Sequence, residues 1–419
     1  MTSTAPSTPS QPASSTLRGD TSLIALVGLA HGVSHFSQLV LAPLFPWLKD
    51  EFSVSYTQLG AVLTVFYVVS CIVQAASGFI VDKLGPRPVL FVGLGLLGLS
   101  GFGYAASQSY WMLMACAVVA GIGNGVFHPV DYTLFNRKVA PTRLGHAYSV
   151  HGITGSLGWA LAPAFVAPLA FAYSWRVALV AAGVLALAVL LVLWIFRSHL
   201  YLDVRTVQKA TGQTPAAGTP AGGEFAFLRI PAVWMCFGFF FLYAIVISVV
   251  QTFAPTAAGA LHSVPMGLVA ICLTVYMVAS AGGMLVGGFL VKDPSRCERL
   301  VGIGFATAAL MALVIGLGSV PAMAVPFLFG AMGFASGTAG PSRDLLVKQS
   351  TPPQASGRVY GIVYSGLDIG QGLAPLFFGS LMDHGQYRGV WIGLVVVQGL
   401  LITSALNLRR ARRTSLVPA

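Results

Sequence analysis

Twelve apolar runs of bilayer-crossing length constrain this chain more than any other feature. They lie near 22–47, 56–81, 88–107, 110–136, 144–171, 175–197, 230–258, 265–291, 299–318, 321–347, 356–382 and 389–408. A helix needs about 20 predominantly apolar residues to cross the hydrocarbon. Charged residues make up 8% of the chain, hydrophobic ones 56%, and the mean hydropathy is +0.80. Soluble domains average about 25% charged residues. The expected class is therefore an all-α polytopic membrane protein with twelve transmembrane helices.

The formal net charge of +11 suggests nucleic acid until the basic residues are placed. With the N-terminus inside, all but Lys49, Arg176 and Arg388 of the 23 Lys and Arg fall on the inner side. That is the positive-inside pattern. The basic residues then serve as topology signals and contacts to anionic lipid, and no nucleic acid is expected. Both termini are expected in the cytoplasm, with the chain multi-pass in the inner (plasma) membrane. Five cysteines lie far apart, without metal or disulfide spacing, and read as small core residues.

The chain divides into a Ser/Thr/Pro-rich tail (1–20), a first six-helix bundle (21–197), a flexible linker (198–229), a second bundle (230–408) and a basic tail (409–419). The tail lacks the basic-then-apolar pattern of a cleavable signal peptide. The two bundles repeat at an offset of 212 residues. Ala42-Pro43 becomes Ala254-Pro255; Gly121, Gly125 and Pro129 become Gly333, Gly337 and Pro341. Pro141, Gly145, Tyr148, Gly158, Ala162 and Pro163 become Pro353, Gly357, Tyr360, Gly370, Ala374 and Pro375. One offset serving several helices implies two pseudo-symmetric bundles, with a site between them near the midplane.

Polar residues inside spans are costly and mark function. Asn124, His128 and Asp131 follow at i, i+4 and i+7 and share a helix face in run four. His31 and His35 lie one turn apart in run one, with Gln38 beyond; His151 stands in run five, Asp368 and Gln371 in run eleven. Runs three, six, nine and twelve have almost no polar interior, so one central cavity is expected. Asp368 has no Lys or Arg at its depth, and a carboxylate so placed takes up a proton, making it the first choice of proton carrier. Imidazoles alternate charge near neutrality, so the histidines serve substrate or proton. Asp131 and its offset partner Arg343 form a candidate inner gate. Pro129 removes a backbone donor and frees a carbonyl for the cavity or a neighbour. Tyr67, Tyr243 and Tyr276 suit a mixed cavity, and Gly152, Gly155, Gly158, Gly366, Gly370 and Gly372 permit close helix contact. No metal or cofactor is expected, because the spacing places no third ligand beside His31 and His35.

The loop after run two reads Gly78-Phe-Ile-Val-Asp82-Lys83-Leu-Gly85-Pro-Arg87. It resembles the loop signature of the major facilitator superfamily. The resemblance implies two six-helix bundles and a cytoplasmic latch built from Asp82, Lys83 and Arg87, with Asp82 near the start of run eleven. Within that superfamily, His31, Pro43, Pro46, Gln58-Leu-Gly60, Gln74 and Gly121-x-Gly-x-Gly-x-Phe127-His128-Pro129 resemble fosmidomycin-resistance-type efflux proteins. Two positions depart: Ser34-His35 stands where that branch has Asn-Asp, and Val130 where it has an acid. The drug therefore does not transfer. The expected function is a monomeric secondary active transporter exporting a small organic solute by proton antiport. Uptake of a small organic anion is the alternative. An enzyme or a membrane sensor is the distant reading, since no catalytic cluster or soluble domain is evident.

Overall fold

The computed structural model describes residues 17–202, 231–290, 297–350 and 356–415, with side chains throughout except at 141, 145, 232, 343–350, 356–364 and 406–415. The described residues form helices and connecting turns, without strands. The first bundle comprises α1 (Leu17–Gln38), α2 (Tyr56–Leu84), α3 (Pro86–Ala106), α4 (Tyr110–Asn124 and Phe127–Lys138), α5 (Leu144–Ala172) and α6 (Trp175–Ile195). The second comprises α7 (Pro231–Thr252), α8 (Met266–Leu290), α9 (Cys297–Leu317), α10 (Val325–Ser350), α11 (Ser356–Asp383) and α12 (Tyr387–Ser415). Short helices Phe45–Phe52 and Ala254–His262 prolong α1 and α7.

Eleven of these segments are long and apolar enough to cross a membrane. The exception is α11, whose described part carries Asp368, Gln371 and Asp383. Large apolar side chains such as Phe79, Trp111, Phe289 and Phe327 point outward, each more than 70% exposed. On a soluble protein such a belt is a liability; on a spanning bundle it meets acyl chains.

Helix ends follow local chemistry. Ser55 opens α2 with a reciprocal capping box to Gln58, and Gly85, at φ 83°, ends it. α1 begins at Leu17, taking in residues expected in the tail, because the Asp20 carboxylate is buried against Arg143 (2.6 Å) and the Ala140 amide (3.1 Å). The start of the expected linker is likewise tied down: the Lys138 ammonium donates to the carbonyls of His199 (2.6 Å) and Tyr201 (2.8 Å). At the other end α12 runs on to Ser415, into the expected basic tail.

The repeat extends to packing. A Cβ on Gly121 or Gly125 would collide with the α2 carbonyls of Phe66 or Ser70. A Cβ on Gly333 or Gly337 would collide with the α8 carbonyls of Tyr276 or Ser280. Small residues thus bring α4 onto α2 and α10 onto α8 in the same way.

Between the bundles the two faces of the molecule differ. At the face opposite the termini, one buried cluster crosses between them: Phe36, Leu41, Phe45, Leu48 and Phe66 with Val249, Phe253, Ala257 and Phe378. Phe253 lies 6.2 Å from Phe45 and 6.3 Å from Tyr56, ring to ring. Toward the termini each bundle keeps its own core, around Leu90, Leu134 and Phe135 in the first and around Val233, Phe239 and Phe305 in the second.

Candidate functional site

His31, Ser34, His35 and Gln38 fall at i, i+3, i+4 and i+7 of α1 and so share one face. That face meets α5 closely: a Cβ on Gly158 would strike the Gly32 carbonyl, and one on Gly155 would press on the His31 and His35 rings. Opposite stands α4, interrupted at Gly125–Val126. Pro129 lies in the first turn of the second piece, where its missing N–H leaves the Gly125 carbonyl without its helical donor. The Ser77 hydroxyl of α2 donates to that carbonyl at 3.3 Å, so the freed carbonyl goes to a neighbour.

Asn124 ends the first piece of α4 as a buried hub. Its Oδ1 accepts from the Ser34 hydroxyl (2.7 Å) and the Gln38 amide (3.3 Å), while its Nδ2 donates to the Ser70 hydroxyl (2.8 Å). Trp159 donates to the Gln38 carbonyl oxygen at 3.1 Å. Such satisfied buried networks hold one arrangement against slippage.

Below this hub the imidazoles gather. The His31 ring stacks on His151 at 3.5 Å between centroids, with His35 at 4.4 Å and His128 at 5.3 Å. Asp131 is completely buried; its Oδ2 lies 3.0 Å from His151 Nε2 and 3.2 Å from His31 Nδ1, and its Oδ1 has no hydrogen-bond partner. One carboxylate in apolar surroundings is costly unless paired; His151 supplies the hydrogen-bonded partner and His31 a second close neighbour. His31, His35 and His128 offer donor atoms within 4.8 Å of one another, as do His31, Asp131 and His151.

The cluster reaches the second bundle through α2. His128 Nδ1 lies 2.9 Å from Gln74 Oε1, and Gln74 Nε2 lies 3.5 Å from Asp368 Oδ2 on α11. Further along the seam the Tyr67 hydroxyl donates to Gln371 Oε1 (2.9 Å) and Thr64 to the Gly372 carbonyl (2.5 Å). At its far end Asp383 accepts from the Tyr56 amide (2.6 Å), the Thr57 amide (2.9 Å) and the Thr57 hydroxyl (2.6 Å). These amides belong to the first turn of α2, which has no helical acceptors of its own. Partial burial alone would raise the Asp383 carboxyl, but the Thr57 and Tyr56 donors outweigh it and hold it below its usual value.

Of the residues expected from sequence, His31, His35, Gln38, Asn124, His128 and His151 assemble in the first bundle; Asp368 and Gln371 join them across the α2–α11 seam. Asp131, expected at a gate with Arg343, faces His31 and His151; the Arg343 side chain lies outside the described ones. Asp82 and Lys83 are exposed at the end of α2, where the side chains of 356–364, their expected partners, are likewise not described. Arg87 sits over the Tyr201 ring at 5.1 Å, within its own half. Among the glycines, Gly155 and Gly158 press on α1, Gly366 and Gly370 on α7, and Gly372 faces α2, whereas Gly152 touches nothing within 4 Å. Sequence reasoning missed Ser34, Ser70, Trp159 and Asp383. The helical spacing of Ser34 with His31 and Gln38 could have found the first; nothing local marks the last. A separate depression lined by His262, Ser319 and Arg388 lies away from this chemistry.

A family model described as Major Facilitator Superfamily matches residues 27–334 and, overlapping, 298–418. Over 146 residues the chain is 32% identical to the MFS-type transporter YfnC of Bacillus subtilis, covering 35% of each protein. Over 171 residues it is 28% identical to the fosmidomycin resistance protein of Escherichia coli, covering 38% of this chain and 40% of that one. It thus spans between a third and two-fifths of those two relatives. A hexuronate transporter of Bacillus subtilis is 23% identical over 91% of this chain and 93% of its own. In fold, the chain is similar to a bacterial homologue of the human lysosomal transporter Spinster in an inward-facing, occupied conformation. There the TM-score is 0.75 and the identity 16%, over 96% of this chain and 100% of that one.

Proposed function

The chain belongs to the major facilitator superfamily, a family of non-enzymatic membrane transport proteins, and from that premise we propose that it is a proton-coupled exporter of a small organic solute. The observation that carries this reading is the line from buried Asp131 and the imidazoles through half-buried His128 and Gln74 to Asp368. It joins titratable groups of one half to a carboxylate of the other, so protonation acts where the halves meet. A ligand shifts a conformational equilibrium only by binding its states unequally. A proton on Asp368 meets this condition, because it removes the charge that the Gln74 amide faces across the seam. On the orientation that the positive-inside pattern supports, the buried cluster joining the halves lies at the outer face and the two separate cores among the described residues lie inside. Solute would then bind between His35, His128 and Gln371 and leave when the outer seal parts.

The test is transport in vesicles of the purified protein under an imposed pH gradient, against a panel of carboxylates, phosphonates and lipophilic drugs. Asp368→Asn should abolish gradient-driven movement while leaving solute exchange without a gradient. Undiminished pH dependence in that variant would overturn the role of Asp368.

Uptake of a small organic anion is the second reading. It is supported by four histidines which, among the described residues of the cluster, are the groups able to become cationic, and by the near full-length alignment with a hexuronate transporter. The sign of the gradient that drives movement separates the two.

A further inference from the structure

We propose that His31, His35 and His128 form a binding site for a borderline divalent transition-metal ion of the zinc, cobalt or nickel class. An imidazole ligates through a bare nitrogen, and its other nitrogen is held by an acceptor that fixes the tautomer. One of the three rings has that acceptor. His31 Nδ1 stands 3.2 Å from Asp131 Oδ2 without a formed hydrogen bond, and its Nε2 faces away from that carboxylate toward Gly155. His128 Nδ1 faces Gln74 Oε1 at 2.9 Å. The amide is oriented by its own Nε2, directed to Asp368 Oδ2 at 3.5 Å. Gln74 therefore presents an oxygen, His128 Nδ1 carries the proton, and Nε2 is bare.

The third ring is placed by glycine. His35 Nδ1 is buried without a well-formed hydrogen bond, the Gly155 backbone being its polar neighbour. A Cβ placed on Gly155 would stand 2.9 Å from His35 Nδ1 and 3.1 Å from His31 Nε2, so only glycine lets the two rings lie this close to α5. Nitrogens of two imidazoles are thus held side by side. A donor atom of His128 completes a set lying within 4.8 Å of one another. Tetrahedral zinc with bonds of about 2.1 Å holds its ligand nitrogens roughly 3.4 Å apart, a distance that small side-chain rotations reach. Three neutral nitrogens suit borderline ions and not magnesium or calcium, which take oxygen. Three protein ligands leave a fourth position for water or for a donor atom of the solute.

The experiment uses the full chain purified with a histidine-free tag, stripped with chelator and titrated with Co²⁺ alone. One ion per chain is expected, with the intense visible bands of tetrahedral cobalt. His35→Ala and His128→Ala should each weaken uptake at least tenfold. Gly155→Ala, which keeps every ligand but pushes the His31 and His35 rings aside, should do the same, and His262→Ala should change nothing, since that ring is bonded to the Ile315 carbonyl. Each variant is checked for a wild-type elution profile; if an alanine variant misfolds, His35→Gln replaces it. Failure of the wild-type chain to take up one equivalent overturns the site, as does unchanged uptake in folded His35 and His128 variants. No transport is measured, so a negative result leaves the transport reading standing, and the converse holds for Asp368→Asn.

Discussion

The two halves of this molecule share a scaffold and divide the chemistry. Gly121 and Gly125 press α4 onto α2 as Gly333 and Gly337 press α10 onto α8. Yet at the 212-residue offset His31 faces Tyr243, His35 faces Ile247, Gln38 faces Val250, and Asn124 faces Ser336. The first half holds four imidazoles, a carboxylate and an amide hub in mutual contact. To the seam the second contributes chiefly Asp368, Gln371 and Asp383. Close glycine contacts depend on backbone shape, which a repeat preserves; side-chain chemistry is free to diverge once the backbone is held. The halves therefore share their helix packing, while the described imidazole–carboxylate cluster belongs to the first.

The strongest way to break this contrast is to strip a partner from the buried acid. His31→Leu should lower stability by about 1–3 kcal/mol, because Asp131 loses one of its two imidazole neighbours in an apolar interior. Tyr243→Leu, at the matching position, should cost less than half as much. Unfolding in detergent measures both. Adding Asp131→Asn to His31→Leu should restore most of the loss, a coupling that a double-mutant cycle reads; simple additivity would refute the pairing.

A second test probes the shared scaffold. Gly125→Val and Gly337→Val each force a side chain into a carbonyl of the neighbouring helix, and overpacking of this kind costs about 1–3 kcal/mol. Matching losses sharpen the symmetry; a loss confined to one half would show that the repeat is one of sequence only.

The smallest effect concerns the seam. Asp383→Asn removes a charged acceptor from two amides at the start of α2, a cap worth about 1 kcal/mol, and should favour opening at the face opposite the termini, as read by cysteine accessibility of Phe45→Cys. The carboxyl is held below its usual value in the folded state. Its contribution is therefore complete above the unfolded-state pKa of about 3.9 and is lost as pH falls through the folded one. Wild type and variant should differ at neutral pH and converge only in strong acid.

Much of this was legible in sequence, because length and hydropathy dictate spans and a constant offset dictates the repeat. The face shared by His31, His35 and Gln38 follows from helical spacing, as does that of Asn124, His128 and Asp131. The partner of Asp131 did not follow. Symmetry pointed to Arg343, whose side chain lies outside the described ones; Asp131 meets His31 of α1 and His151 of α5, and no local spacing in α4 ties it to those helices. Asp383 was equally hidden: the capping box at Ser55 and Gln58 is local, whereas the acceptor for the two amides between them comes from 327 and 326 residues further along the chain.

That break in α4 has a mechanical consequence. An uninterrupted rod passes a push at one end to the other; this one is jointed. Its upper piece is pinned to α2 by Gly121, close to the sealed face. The lower piece carries an imidazole and the carboxylate, so a tilt at the joint would swing them without prising the seal apart. Under the proton-coupled reading proposed above, loading and opening would then be separable strokes.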